Sequence, residues 1–266
     1  MKLIVVLKYQ FFMKVLLSPA KSINENCQII GDYTLPIFEN DAQKIVRKLK
    51  KFKTTEIMNL MSVSAEIAQL NVNRFKNWTK AESSENNQFF QTIRAFSGEV
   101  YRGFNTESIS LDNLEKVNDT IRILSGLYGY LRPFDLISPY RLEMGTKFSP
   151  DLKSKNLYDF WNSKVTNALN KELTLGEEVI NLASAEYYKV IVQKKIKSRI
   201  ITPIFKEFKN GQFSIVMMYA KHARGSMARY IIDQDIKDSE KLKFYNTDKY
   251  SFDDKLSTEN EWVFVR

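Results

Sequence analysis

Residues 200–220 read IITPIFKEFKNGQFSIVMMYA. Two apolar runs flank Asn210-Gly211, and Asn-Gly favours two-residue hairpins because a type I′ turn needs positive φ at both central positions. This stretch is therefore a pair of antiparallel strands that any architecture must accommodate. Three shorter runs behave differently: KVLLSP (14–19) is stopped by Pro19, DTIRILSG (119–126) by Gly126, and EEVINLAS (177–184) ends in a serine. Each reads as a buried strand, and EWVFVR (261–266) as a last one.

Between them the apolar period lengthens to that of a helix. Ile45, Leu49 and Phe52 repeat at helical spacing within 37–79. Thr54 or Thr55 is placed to cap a short helix through Met61. Ser64 caps another, whose apolar stripe is Ile67, Leu70 and Phe75. A polar break, KAESSENN, precedes QFFQTIRAF (88–96). LYDFWNSKVTNALNKEL (157–173) is amphipathic, with Phe160, Val165, Ala168 and Leu169 inside and Gly176 closing the unit. KHARGSMARYIIDQ (221–234) reads as a further helix. Helices dominate the first half and mix with strands in the second, without repeats or a low-complexity linker, so the fold class is α+β or mixed α/β.

The chain has 266 residues, enough to bury a full core, and 40 lysines and arginines against 31 acids give a net charge of +9. That excess favours a polyanionic partner. Cys27 and His222 are the lone members of their types, which rules out an intrachain disulfide, a zinc finger and a thiolate-held iron–sulfur cluster. No metal or cofactor is expected. No run reaches the roughly 18 apolar residues of a membrane span, and no amphipathic anchor marks a lipid surface. The opening MKLIVVLKYQFFMKVLL lacks a small-residue cleavage site, so Met13 is read as the natural start and 1–12 as an upstream extension.

Four stretches can carry chemistry. In SPAKS, Lys21 stands at a strand-to-loop junction, where open sheets place ligands; it is a phosphate anchor, a nucleophile, or a plain loop lysine. In LSGLYGYLRP, Gly126 and Gly129 bracket Leu127-Tyr128 ahead of Arg132, either as a hairpin offering N–H groups to phosphate or as a tight packing turn. In PYRLEMG, Arg141 and Glu143 share a face of an extended segment and either pair or bracket a ligand. In YAKHARGSMARY, Lys221, Gly225 and Arg229 fall four apart; with Arg224 they form an anion site near a helix start, or a solvated helix face. A glycine between cations suggests a close approach there, and His222 reads as an orienting residue. Glu186, in NLASAEYYK, is a first-turn acid with a catalytic role as the second choice.

LLSPAK, SGLYGYLRPFDLISPYRLEMG, NLASAEYYK and YAKHARG, in this order, resemble the signature blocks of the YaaA family of bacterial peroxide-stress proteins, from about Met13 to the C-terminus. The resemblance implies a cytoplasmic protein of the hydrogen peroxide response that limits iron-dependent damage to DNA. It also implies a single compact domain over 13–266, with a central mixed sheet, surrounding helices and a positively charged cleft that binds DNA. A helix-hairpin-helix-like element belongs to that pattern and falls at Gly126–Gly129 with Arg132. The cleft draws on Lys21, Arg141, Lys221, Arg224 and Arg229. The expected partner is DNA, duplex or distorted, read with weak sequence specificity by a monomer. The alternative is an enzyme acting on a nucleic-acid base or nucleotide, with Lys21 as nucleophile or phosphate anchor and Glu143 or Glu186 as acid–base group.

Overall fold

The computed structural model describes residues 13–81 and 89–266. The upstream extension and most of the polar break lie outside the described residues. In chain order, β1 (Met13–Leu17) and the two-residue β2 (Ser22–Ile23) precede three helices, α1 (Glu39–Leu49), α2 (Thr54–Met61) and α3 (Ala65–Asn77). Next come β3 (Phe90–Gln91), α4 (Thr92–Ala95), β4 (Phe96–Ser97), α5 (Glu99–Phe104) and α6 (Leu114–Thr120). Then follow β5 (Ile121–Ser125), β6 (Gly129–Leu131), β7 (Leu136–Ile137), α7 (Leu157–Glu172), β8 (Glu178–Asn181) and α8 (Ala185–Tyr188). The chain closes with β9 (Ile200–Lys209), β10 (Gln212–Ser214), α9 (Met217–Asp233), β11 (Ser251–Asp253) and β12 (Glu261–Val265).

One eight-stranded mixed sheet organises the domain, in the order β11-β12-β9-β8-β1-β5-β6, with β10 folded back on β9. Strands β12, β9, β8, β1 and β5 run parallel, while β11 and β6 close the two ends antiparallel. β1 lies at the centre, with Val15 opposite Ile121 on one side and Ile180 on the other. All five residues of β1 are buried, as a strand covered on both faces requires. Even Lys14 is only 7% exposed, with its ammonium donating to the Asp119 carbonyl at 2.9 Å. The Asn210-Gly211 turn takes the positive φ expected of it, and Phe213 faces Phe208 across the hairpin.

The region 37–79 is helical but in three pieces. Ser64 caps α3, its Oγ accepting from the Ile67 N–H at 3.4 Å. Neither threonine caps α2; Lys53 does, and its N–H is taken by the Glu56 carboxylate at 2.7 Å. The buried stripe of α3 is Ala68, Val72 and Phe75, while Ile67 and Leu70 face solvent.

Helix α9 returns along the sheet antiparallel to the parallel strands. Near its end, the Ile232 carbonyl accepts from Lys116 on α6, just ahead of the first residue of β5. Near its start, it lies against α5, whose preceding Gly98 sits beside Ala20 past the end of β1. The first turn of α9 therefore stands at the carboxyl edge of the parallel strands.

Candidate functional site

The tails of β1 and β8 leave the sheet side by side. Leu182 N–H donates to the Leu16 carbonyl at 3.0 Å, and Ser184 N–H donates to Ser18 Oγ at 2.9 Å. This is the edge at which open α/β sheets collect ligands. The β1 tail leads to Lys21 and the β8 tail to Glu186. The segment 140–145 crosses the same edge, backed by Gly126: a Cβ there would come within 2.3 Å of the Leu142 carbonyl. Tyr140, whose hydroxyl lies 2.6 Å from Ser125 Oγ, pins the segment from beneath.

Four predicted residues come together here. Glu143 meets Lys21 Nζ at 2.7 Å through one oxygen and Arg141 Nη2 at 3.1 Å through the other. Arg141 and Glu143 thus pair with each other, and Lys21 joins them across the sheet edge. The Arg141 Nε is buried and has no hydrogen-bond acceptor among the described residues. Glu186 Oε1 accepts the Gly145 N–H at 2.9 Å. Glu143 and Glu186 both line an open cleft of about 910 Å³, whose far wall is the end of α2 around Leu60, Met61 and Ser62. Tyr187 lies beneath them, and burial, followed by Tyr140 and these two carboxylates, pushes its hydroxyl well above the usual tyrosine range. It stays a neutral donor at any physiological pH.

The other candidates fall elsewhere or serve the fold. Gly126 and Gly129 join β5 to β6, two strands rather than two helices, which corrects the placement of the helix-hairpin-helix-like element. The N–H groups of Leu127 and Tyr128 already donate to Ser125 Oγ at 3.2 and 2.9 Å, and both residues are buried. Gly129 has φ +71, and a Cβ would meet the Trp161 ring at 2.5 Å. Arg132 is held by buried Asp135 and by the Leu35 carbonyl at 2.9 Å. Arg229 binds Asp233 and reaches the Phe104 and Asn105 carbonyls, tying α9 to α5. Gly225 is needed where these two helices touch: a Cβ would lie 1.7 Å from the Val100 carbonyl oxygen. His222 stands 3.7 Å from both Glu99 and Asp248.

Lys221 and Arg224 remain open. Lys221 is exposed on α9, near the helix start. Arg224 is half-buried with no ion pair or hydrogen bond among the described residues, and burial alone pulls its guanidinium below the usual arginine value. Helices α2 and α3 are joined by a tight turn, where Ser62 takes a left-handed conformation and Val63 N–H closes on the Met58 carbonyl at 3.2 Å. Its signal in the sequence is the run Ser62-Val63-Ser64 ahead of a capped apolar helix. Glycine is the wrong cue there, because a serine holds the positive φ.

Among the described residues, no cluster of three or more His, Cys, Asp or Glu side chains is placed to hold a metal ion. None of their helices is long and apolar enough to cross a membrane. Fold and site together define a mixed α/β protein with arginine and lysine side chains at the carboxyl edge of its sheet. The chain belongs to the peroxide stress protein YaaA family, whose sequence profile matches residues 13–256. It is 44% identical to a UPF0246 protein of Shewanella sp. (strain ANA-3) over 257 residues, covering 96% of this chain and 99% of the relative. A UPF0246 protein of Neisseria meningitidis serogroup A is 43% identical over 96% of this chain and 98% of its own length. One of Burkholderia mallei (strain SAVP1) is 40% identical, with the same coverages.

Proposed function

We propose that this protein acts in the cytoplasm during the peroxide response by binding DNA at the strand-end edge, where it limits iron-dependent damage. The observation that carries the reading is a pair of arginines with unused donors: among the described residues, Arg224 meets no acid and Arg141 keeps a buried Nε without an acceptor. A guanidinium withdrawn from water calls for an anion, and planar donors suit phosphate. Lys221 adds charge at the same edge, and Lys21 can exchange Glu143 for a phosphate. Ser62 brings the α2–α3 hairpin to the wall of the adjoining cleft, as a helix-hairpin-helix element would require. The test is fluorescence anisotropy with duplex, bulged and single-stranded DNA across a salt series, beside Lys221→Ala/Arg224→Ala. Each phosphate that the variant no longer neutralises should flatten the log–log salt slope by about 0.9 for duplex DNA. An unbound wild-type protein at low salt would sink the reading.

A second reading rests on the 2.7 Å approach of Lys21 to Glu143. A Lys21 amine would attack the aldehyde carbon of an abasic sugar and expel water to form an imine, with Glu143 placed to carry the protons of the addition and dehydration. Borohydride would reduce that imine to a stable cross-link, present in wild type and missing from Lys21→Ala. A cross-link that persists without Lys21 would refute it.

A further inference from the structure

A third arginine lies outside the strand-end edge in a comparable condition. Most arginines here meet a carboxylate, as Arg122 meets Glu172 and Arg132 meets Asp135. Arg94, on α4, has none among the described residues. One Nη donates to the Thr106 carbonyl at 3.2 Å, and its Nε is buried without an acceptor. Arg94 lines a separate pocket of about 250 Å³ with Asn24, Gly98, Arg102, Asn105 and Thr106. The pocket is built by three tethers. Asn24 N–H donates to the Ala95 carbonyl at 2.7 Å, the β2–β4 ribbon forms one wall, and α5 with its following turn forms the other.

The charge of the lining favours an anion. Two guanidiniums face one carboxylate, that of exposed Glu107. Arg102 is itself exposed and bonded to Glu99, so it can swing toward a ligand, whereas Arg94 is fixed by its bond to the backbone. The remaining polar groups are the amides of Asn24 and Asn105 and the hydroxyls of Ser97, Tyr101 and Thr106, which suit oxygen acceptors, and Phe96 adds the apolar part of the lining.

We propose that this pocket is a second oxyanion site, taking one phosphate-class group on Arg94 and Arg102. The phosphate belongs either to the DNA backbone or to a free phosphate or mononucleotide. Two arms distinguish them. In the first, melting of the full chain is followed with inorganic phosphate or AMP against chloride at equal ionic strength. A free-phosphate site raises Tm with phosphate in the wild type, and Arg94→Gln weakens that response about tenfold or more. In the second, DNA affinity is measured across a salt series. A backbone site leaves Tm unmoved by phosphate, while Arg94→Gln flattens the salt slope by about 0.9.

Arg94→Lys keeps the charge, loses the Nε donor and should fall between the two. If Arg94→Gln fails to fold, hydrogen exchange of the wild type decides, because either ligand should protect 94–107. No phosphate response, an unchanged slope and no protection would overturn the proposal. A wild type that ignores DNA would end the strand-end reading and leave the phosphate arm to decide this one alone.

Discussion

Gly225→Ala separates two uses of a helical glycine, room for a ligand and room for a neighbouring helix. The structure assigns the second. The new Cβ would stand 1.7 Å from the Val100 carbonyl oxygen and 2.8 Å from the Phe104 nitrogen, both backbone atoms that cannot rotate away. Ordinary contact begins near 3.4 Å, so α5 and α9 would have to part by roughly 1.7 Å. Overpacking of this kind costs up to about 3 kcal/mol, and the helix preference for alanine returns about 1. The net is a loss of about 2 kcal/mol, or a Tm lowered by roughly 4–8 °C in a chain of this size. Gly103→Ala should behave alike, because its Cβ would meet the His222 carbonyl oxygen at 2.1 Å. The double variant should lose less than the sum, since one parting of the helices relieves both clashes. Thermal unfolding followed by circular dichroism reads all three. A Gly225→Ala protein that melts at or above the wild type while losing DNA affinity would refute the reasoning and return the glycine to a ligand.

Two further outcomes follow from buried groups. Tyr101, Tyr128, Tyr130, Tyr140 and Tyr187 are all pushed above 10 by burial, and Tyr245 to about 12. An unfolded tyrosine releases its proton near 10, so the folded state holds more protons above that pH. Stability present below pH 10 is therefore lost as pH rises, by about 1.4 kcal/mol per pH unit for each such tyrosine. Lys14 opposes them weakly: its pKa is lowered chiefly by burial, so its own contribution rises with pH until about 10.5. Tyrosinate absorbance should appear in one step with the loss of helix, and gradual ionisation of a still-folded protein would contradict the burial. Arg132→Ala strips Asp135, which is 1% exposed, of its cation and should cost roughly 3 kcal/mol in a denaturant titration. DNA affinity measured well below the melting point should stay unchanged, and a large loss there would restore Arg132 to the binding surface.

Local features of the fold are legible where a residue's own chemistry decides the outcome. Asn210-Gly211 marks its hairpin, Ser64 caps its helix, and 157–173 matches α7 to within a residue. Helix α9 starts four residues ahead of the expected Lys221, because Met217, Met218 and Tyr219 continue the apolar hairpin pattern into the helix. Features set by long-range pairing are not legible. The central sheet places β1 between β5 and β8, so Lys21 meets Glu143 only after distant segments have taken their register. The glycine pair at 126 and 129 carries the right signal, close approach, and points to the wrong partner. What approaches is the 142–143 backbone and Trp161.

The cations show why partner identity outweighs spacing. In the sequence, Arg132, Arg141, Arg224 and Arg229 are equivalent charges near glycines. In the fold, Asp135 and Asp233 neutralise two of them, and backbone carbonyls fix both in place. Arg141 shares Glu143 with Lys21, and with Glu186 beside them the four side chains leave no net charge at the sheet edge. Arg224, on α9, is a cation with no carboxylate partner among the described residues and half out of water. An anion arriving there gains from a guanidinium that the fold has already desolvated, whereas one approaching Arg132 or Arg229 would first have to break an existing pair. The same logic singles out Arg94, where neither spacing nor a signature block draws attention to the residue.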